Sequence, residues 1–166
     1  MKTKLGFFTL VLLVSFCTNS MADEWSGGLI QDGDNYDSID MWGGTTIMTG
    51  GYVGSFYCND GRLLFSDGEI NYYSGFTGGI FEMSGGICNS ISLACDAEAY
   101  LSGGQINGTI SGYEGIICQI TGYSLTPNLI IDENSGFQSG TISGYWQDGT
   151  AFNLKISFDN SSQYYL

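Results

Sequence analysis

A glycine recurs at Gly50, Gly68, Gly86, Gly104, Gly122 and Gly140, each 18 residues after the last. With 26 glycines in the chain some coincidences are expected, but the neighbouring apolar columns follow the same spacing. Three residues before each glycine stand Ile47, Phe65, Met83, Leu101, Gln119 and Phe137. Two residues after it stand Tyr52, Ile70, Cys88, Ile106, Ser124 and Ile142. A fixed period of this length marks repeated supersecondary units, none of which can bury its apolar face alone.

Within a unit, apolar residues alternate with polar or small ones, as in Phe81-Glu82-Met83 and Ala99-Tyr100-Leu101, which is the period-two signature of a strand with one face inward. Further brief apolar stretches follow, such as Val53 to Tyr57, Ile91 to Leu93 and Leu129 to Ile131, bounded by Gly, Asn, Asp or Pro. Glycine is too frequent for helix, and no apolar spacing of three and four is sustained. The reading is an all-β, small, right-handed parallel β-helix of about six coils. Its repeats run over about 41–142 and a β-rich C-terminal cap over about 143–166. Residues 23–40 read as an acidic, irregular N-terminal cap. An antiparallel sandwich is the rival architecture, but its strands need no common sequence, so it leaves the period unexplained.

Stacked coils place residues 18 apart in ladders, with a glycine corner where a positive φ is needed. Four cysteines lie beyond residue 22: Cys58, Cys88, Cys95 and Cys118. An even number permits two bridges. No pair is 18 apart, which favours small buried apolar thiols, Cys88 most clearly.

The N-terminus reads as a secretory signal over residues 1–22. Lys2 and Lys4 precede an apolar run from Phe7 to Phe16, and Ser20-Met21-Ala22 offers small residues for cleavage before Asp23. Lipidation of Cys17 is the alternative, opposed by Phe16 where a small residue is expected. Processing leaves one solenoid domain over residues 23–166, with Arg62 and Lys155 against 17 carboxylates and no long apolar run to span a membrane. A net charge of −15 argues against nucleic acid and anionic lipid as partners. Divalent cations, basic partners, extracellular polysaccharide and other surface proteins remain.

The Gly-Gly coils, a degenerate coil at Ile120-Thr-Gly-Tyr123 and a closing Gly144-Tyr-Trp-Gln-Asp-Gly-Thr150 segment occur in that order. In this the chain resembles, over residues 38–158, the secreted bacterial Gly-Gly repeat β-helix proteins of the planctomycete type, associated with Pro-Glu-Pro sorting tails. The resemblance implies an extracellular structural role and assigns no catalytic residue. Such a tail is missing at Tyr164-Tyr165-Leu166, which points to free secretion, a periplasmic place or a truncated gene model rather than envelope sorting.

With no histidine in the chain, Ser-His-Asp and Cys-His catalysis and histidine metal sites are excluded. Carboxylates remain. Counting by 18 puts Asp60, Gly78, Asp96, Glu114 and Asp132 in one column, where stacked acids splay into water or share a cation such as calcium. Asp32-Gly-Asp34 begins a partial calcium loop, incomplete beyond Tyr36. Tyr100, Tyr113 and Trp146 are the aromatic candidates for stacking on a sugar or a partner, although aromatics also suit strands for packing alone. The expected function is a secreted or cell-surface structural or adhesive protein without catalytic activity. The alternatives are a calcium-assisted carbohydrate-binding module and, third, a polysaccharide lyase or hydrolase.

Overall fold

The computed structural model describes residues 23–132, 136–159 and 161–166, so the expected signal segment lies outside the described residues. Every regular element among them is a strand. In chain order these are β1 (Asp23–Trp25), β2 (Gly28–Ile30), β3 (Asn35–Trp42), β4 (Thr45–Asn59), β5 (Arg62–Thr77), β6 (Ile80–Cys88) and β7 (Ile91–Ala94). Then come β8 (Glu98–Ile106), β9 (Thr109–Gly112), β10 (Ile117–Ile120), β11 (Tyr123–Ile131), β12 (Gln138–Tyr145), β13 (Ala151–Phe158) and β14 (Gln163–Tyr165).

The chain winds as a β-solenoid of about five turns, with parallel pairing from rung to rung. One face stacks β2, the first half of β4, the first half of β5, β6, β8 and β10. A second face stacks β3, the second halves of β4 and β5, β7 and β9. A glycine bend joins the two within each coil. At the bend Gly51, Gly68, Gly86 and Gly104 have φ of 77°, 101°, 72° and 86°. A Cβ on Gly104 would also lie 2.6 Å from the Gly85 carbonyl oxygen of the coil before it, so backbone shape and rung spacing both demand glycine there.

The inward side chains form ladders. Met48, Phe65, Met83, Leu101 and Ile120 stack on the first face, beside Thr46, Leu63, Phe81, Ala99 and Cys118. On the second face Ile39, Phe56, Ser74, Ile91 and Ile110 form one column, and Met41, Cys58, Phe76, Leu93 and Gly112 another. Small residues such as Ser74, Ala99 and Gly112 interrupt the large ones in these columns and leave room for their bulky neighbours. Phe76 stacks on Phe81 at 4.8 Å and on Phe56 at 6.2 Å. Two buried hydroxyls are satisfied in place: Thr46 Oγ1 accepts from Trp25 Nε1 at 2.8 Å, and Ser74 Oγ sits 3.2 Å from Cys88 Sγ.

Several expectations are corrected. The period is 18 in the middle coils of the first face and in the second half of β4 to β5. From β3 to β4, along the first half of β4 to β5, and from β5 to β7 it is 17, and from β7 to β9 and β8 to β10 it is 19. The slips move Ile47 and Gln119 to the outside and put Met48 and Ile120 in the core ladder, and Val53 rather than Tyr52 stands over Ile70. A single-residue slip reverses every side chain on a strand, which is why the columns fail at their ends.

Residues 23–40 are not irregular either, since β1, β2 and most of β3 lie within them and already belong to the stack. After Ile120 the chain leaves the stack as an antiparallel meander, β11–β12–β13, so Gly122 and Gly140 match the period without occupying a solenoid bend. It then returns. β13 pairs in parallel with β9 and β14 with β10, so the expected C-terminal cap supplies the last rung itself, with Ile156 over Ile110 and Phe158 over Gly112.

Candidate functional site

Three places carry outward chemistry. The first is the exposed side of the first face. Ile47, Leu64, Glu82, Tyr100 and Gln119 form an outward column there, beside the short side chains of Ser66, Ser84 and Ser102. A shallow groove of about 310 Å³ runs along it. Its charges are already engaged: Arg62 pairs with Glu82, and the Tyr100 hydroxyl donates to Glu98 at 2.6 Å. That bond to Glu98 raises the Tyr100 phenol above its ordinary pKa. Tyr100 therefore lies half-buried with its polar end committed.

The second is the acidic corner. Asp60, Asp96 and Glu114 occupy it with φ of 56°, 62° and 63°, and Gly78 with 65°. Their backbone amides bond across coils, Asp60 N to the Thr77 carbonyl at 3.1 Å and Asp96 N to that of Glu114 at 3.0 Å. The corner is thus a left-handed bend that polar residues and glycine tolerate, but Asp96 stands beside Gly115 and Cys95 beside Glu114, so the count by 18 does not stack the acids in one column. Among the described residues no three acidic or thiol groups converge to hold a metal ion. Glu114 instead accepts from the Cys95 thiol at 3.0 Å. Asp132 is elsewhere altogether, in the loop between β11 and β12. At the N-terminal end Asp34 accepts from the Gln31 amide at 2.9 Å in a turn, and Asp32 lies against Gly50. The column and the partial loop therefore do not form one cation site.

The four cysteines among the described residues are free thiols. Cys58, Cys88 and Cys118 are buried, and burial pushes their pKa values up to about 11, 11 and 12. Cys95 is exposed at the corner, and its hydrogen bond to Glu114 raises it as well. Trp146 also moves out of the binding set. It is 1 % exposed, tilted on Phe152 at 4.1 Å, with its Nε1 donating to the Gly104 carbonyl at 2.9 Å, so it closes the bend of the last regular coil.

The third place is the exposed side of the second face. Asp40 and Trp42 point outward from β3, on either side of the buried Met41. One rung on, Tyr57 follows Asp40 and Asn59 follows Trp42. Below these come Gly75 and Thr77, then Ser92 and Ala94. A groove of about 210 Å³ runs from Asp40, Tyr57 and Asn59 over Gly75, Thr77, Ser92 and Ala94, with Tyr113 also lining it and Trp42 just outside, beside Asn59. Trp42 is 67 % exposed, an unusual state for tryptophan on a regular strand, and Tyr57 and Tyr113 are 41 % and 46 % exposed. The Asn59 side-chain amide donates to Asp40 at 3.3 Å, which orients both groups on the surface.

Of the three aromatic candidates, only Tyr113 lies here. Trp42, Tyr57, Asp40 and Asn59 escape a count by 18, whereas a count by 17 over the first coils pairs Asp40 with Tyr57 and Trp42 with Asn59.

A ladder of amides runs along the bend between the faces. Asn107 Nδ2 donates to Asn89 Oδ1 at 3.3 Å, Asn89 Nδ2 to Asn71, and Asn71 Nδ2 to the Tyr52 hydroxyl at 3.0 Å. These three asparagines do follow the period of 18.

No family model, curated protein or solved structure matches the chain.

Proposed function

We propose that the chain is an exported structural and adhesive protein of the cell surface that acts without catalysis. The observation that carries this reading is the organisation of the stack. Two broad outward faces stand on ladders of buried side chains, and the terminal strands β1, β2 and β14 are only three residues long. Short end strands limit runaway edge pairing, while a rigid stack holds its surface side chains at fixed spacing for contact. The N-terminal basic and apolar pattern supports export, and the strongly acidic composition supports an exposed, soluble surface. The lack of any histidine and the engagement of Glu82 and Glu98 by Arg62 and Tyr100 weigh against acid–base catalysis on the first face.

The test is made on cells of the source organism. An antibody against the folded chain should stain intact cells or recover the protein from the medium beginning at Asp23. A strain lacking the chain should attach less to surfaces or to sister cells. Confinement of the protein to the cytoplasm, or attachment unchanged by its loss, would contradict the proposal.

A further inference from the structure

We infer that the groove of the second face is a binding site for an uncharged polysaccharide, with Trp42 as its stacking platform. The inference rests on the adhesive reading and names the ligand class for it. Three observations carry it.

First, three large aromatic side chains are exposed in or beside one groove. Tyr57 and Tyr113 line it, and Trp42, outside the lining, stands next to it on the neighbouring rung, in register with the lining residue Asn59. Burying an indole face against the C–H face of a sugar ring recovers apolar area that otherwise remains wet.

Second, polar groups of both kinds border the aromatics. Asp40 supplies an acceptor, Asn59 a donor and an acceptor, and Thr77 and Ser92 hydroxyls that do either. The Asn59 to Asp40 hydrogen bond preorders one end of this set. Alternating apolar and hydroxyl-matching surface is what a sugar ring presents in return. The rungs are about 4.8 Å apart, so the groove crosses them over a length suited to a chain rather than to one small molecule.

Third, the charge selects among sugars. The groove lining contains Asp40 and no Lys or Arg, in a chain with four basic residues against 17 acidic ones. A uronate or sulfated polymer would be repelled, so the ligand is neutral.

The experiment is affinity electrophoresis of the folded chain through gels containing a soluble β-glucan, a mannan, a xylan or an α-glucan, with polygalacturonate as the acidic comparison. At least one neutral polymer should retard the protein. Trp42→Ala should weaken that retardation about tenfold or more, the scale of a central aromatic contact. Tyr165→Ala, on the opposite side of the molecule, should leave it unchanged. Trp42 is largely exposed, so an unaltered thermal midpoint will show that the variant folds. Retardation by none of the neutral polymers, retardation by polygalacturonate alone, or retention indifferent to Trp42→Ala each overturns the site. If that happens while loss of the chain still reduces cell attachment, the adhesive reading stands and only its ligand class falls.

Discussion

Phe76 sits at the centre of the packing, between Cys58 and Leu93 in its column and against Phe56 and Phe81 by ring contact. Phe76→Ala should therefore cost about 3–5 kcal/mol in a denaturant titration, because a rigid stack cannot collapse around the void. The Asn ladder is a smaller effect. Asn89→Ala should cost about 1 kcal/mol, since it removes one amide that links two rungs and leaves Asn71 and Asn107 half-exposed and able to meet water.

The thiols give a pH dependence of definite sign. Cys58, Cys88 and Cys118 titrate near 9 when unfolded and at about 11, 11 and 12 when folded, because burial opposes the thiolate. The folded state thus keeps its protons longer. Their contribution is full below pH 9 and is lost as pH rises from there through about 11 to 12. Urea midpoints measured at pH 8 and pH 10.5 should fall with pH, and fall less in a Cys118→Ala variant. In a chain of residues 23–166, a thiol reagent at pH 8 should titrate Cys95 and leave Cys58, Cys88 and Cys118 until the protein is unfolded.

At the scale of elements, the bends decide what is tolerated. Gly104→Val places a branched side chain at φ 86° and against the Gly85 carbonyl, and should destabilise by about 2 kcal/mol or more, read by the same titration. The C-terminal rung depends on Asp159, whose carboxylate accepts from the Glu114 amide at 3.0 Å and from the Ser161 and Ser162 hydroxyls at 2.8 and 2.6 Å. Partial burial works against its charge, but these bonds outweigh it and hold the carboxyl below the usual range. Asp159→Ala should loosen β14 first, seen as faster amide exchange over residues 161–166 with the middle coils unchanged.

β11 is the long open edge, uncharged, with Ile130 and Ile131 71 % and 61 % exposed and Pro127 as its interruption. Proline guards an edge by withholding a donor, so Pro127→Val should raise self-association in sedimentation.

The strands of the middle coils were legible because parallel stacking places like over like, and Phe65 to Leu101 keep both spacing and facing. The ends were not. Bulges at Met48/Thr49 and Ser84 change the count by one residue, which the glycines alone cannot register. Gly140 satisfied the period while lying in an antiparallel strand, since any β segment with a glycine can do so.

Taken as a whole molecule, the solenoid is one continuous core in which each rung touches only its neighbours, finished by a meander that folds back to lay β13 and β14 on the last coil. That return brings Phe158 and Trp146 into the core from 40 or so residues away in sequence, a nonlocal step that no local pattern announces. The same limit applied to the site. Tyr100 and Tyr113 were legible as outward-facing strand-region tyrosines, but Trp146 could not be told from a surface tryptophan without its hydrogen bond to Gly104. The groove beside Trp42 was hidden because its rungs are spaced by 17 and 18 residues in turn.

The adhesive role is tested most directly with the purified chain itself. Beads coated with residues 23–166 are mixed with cells that lack the protein, and bound cells are counted against beads coated with an unrelated acidic protein of similar charge. The account predicts several-fold greater retention on the solenoid-coated beads, lost when the coat is unfolded. Equal retention on both coats would contradict it.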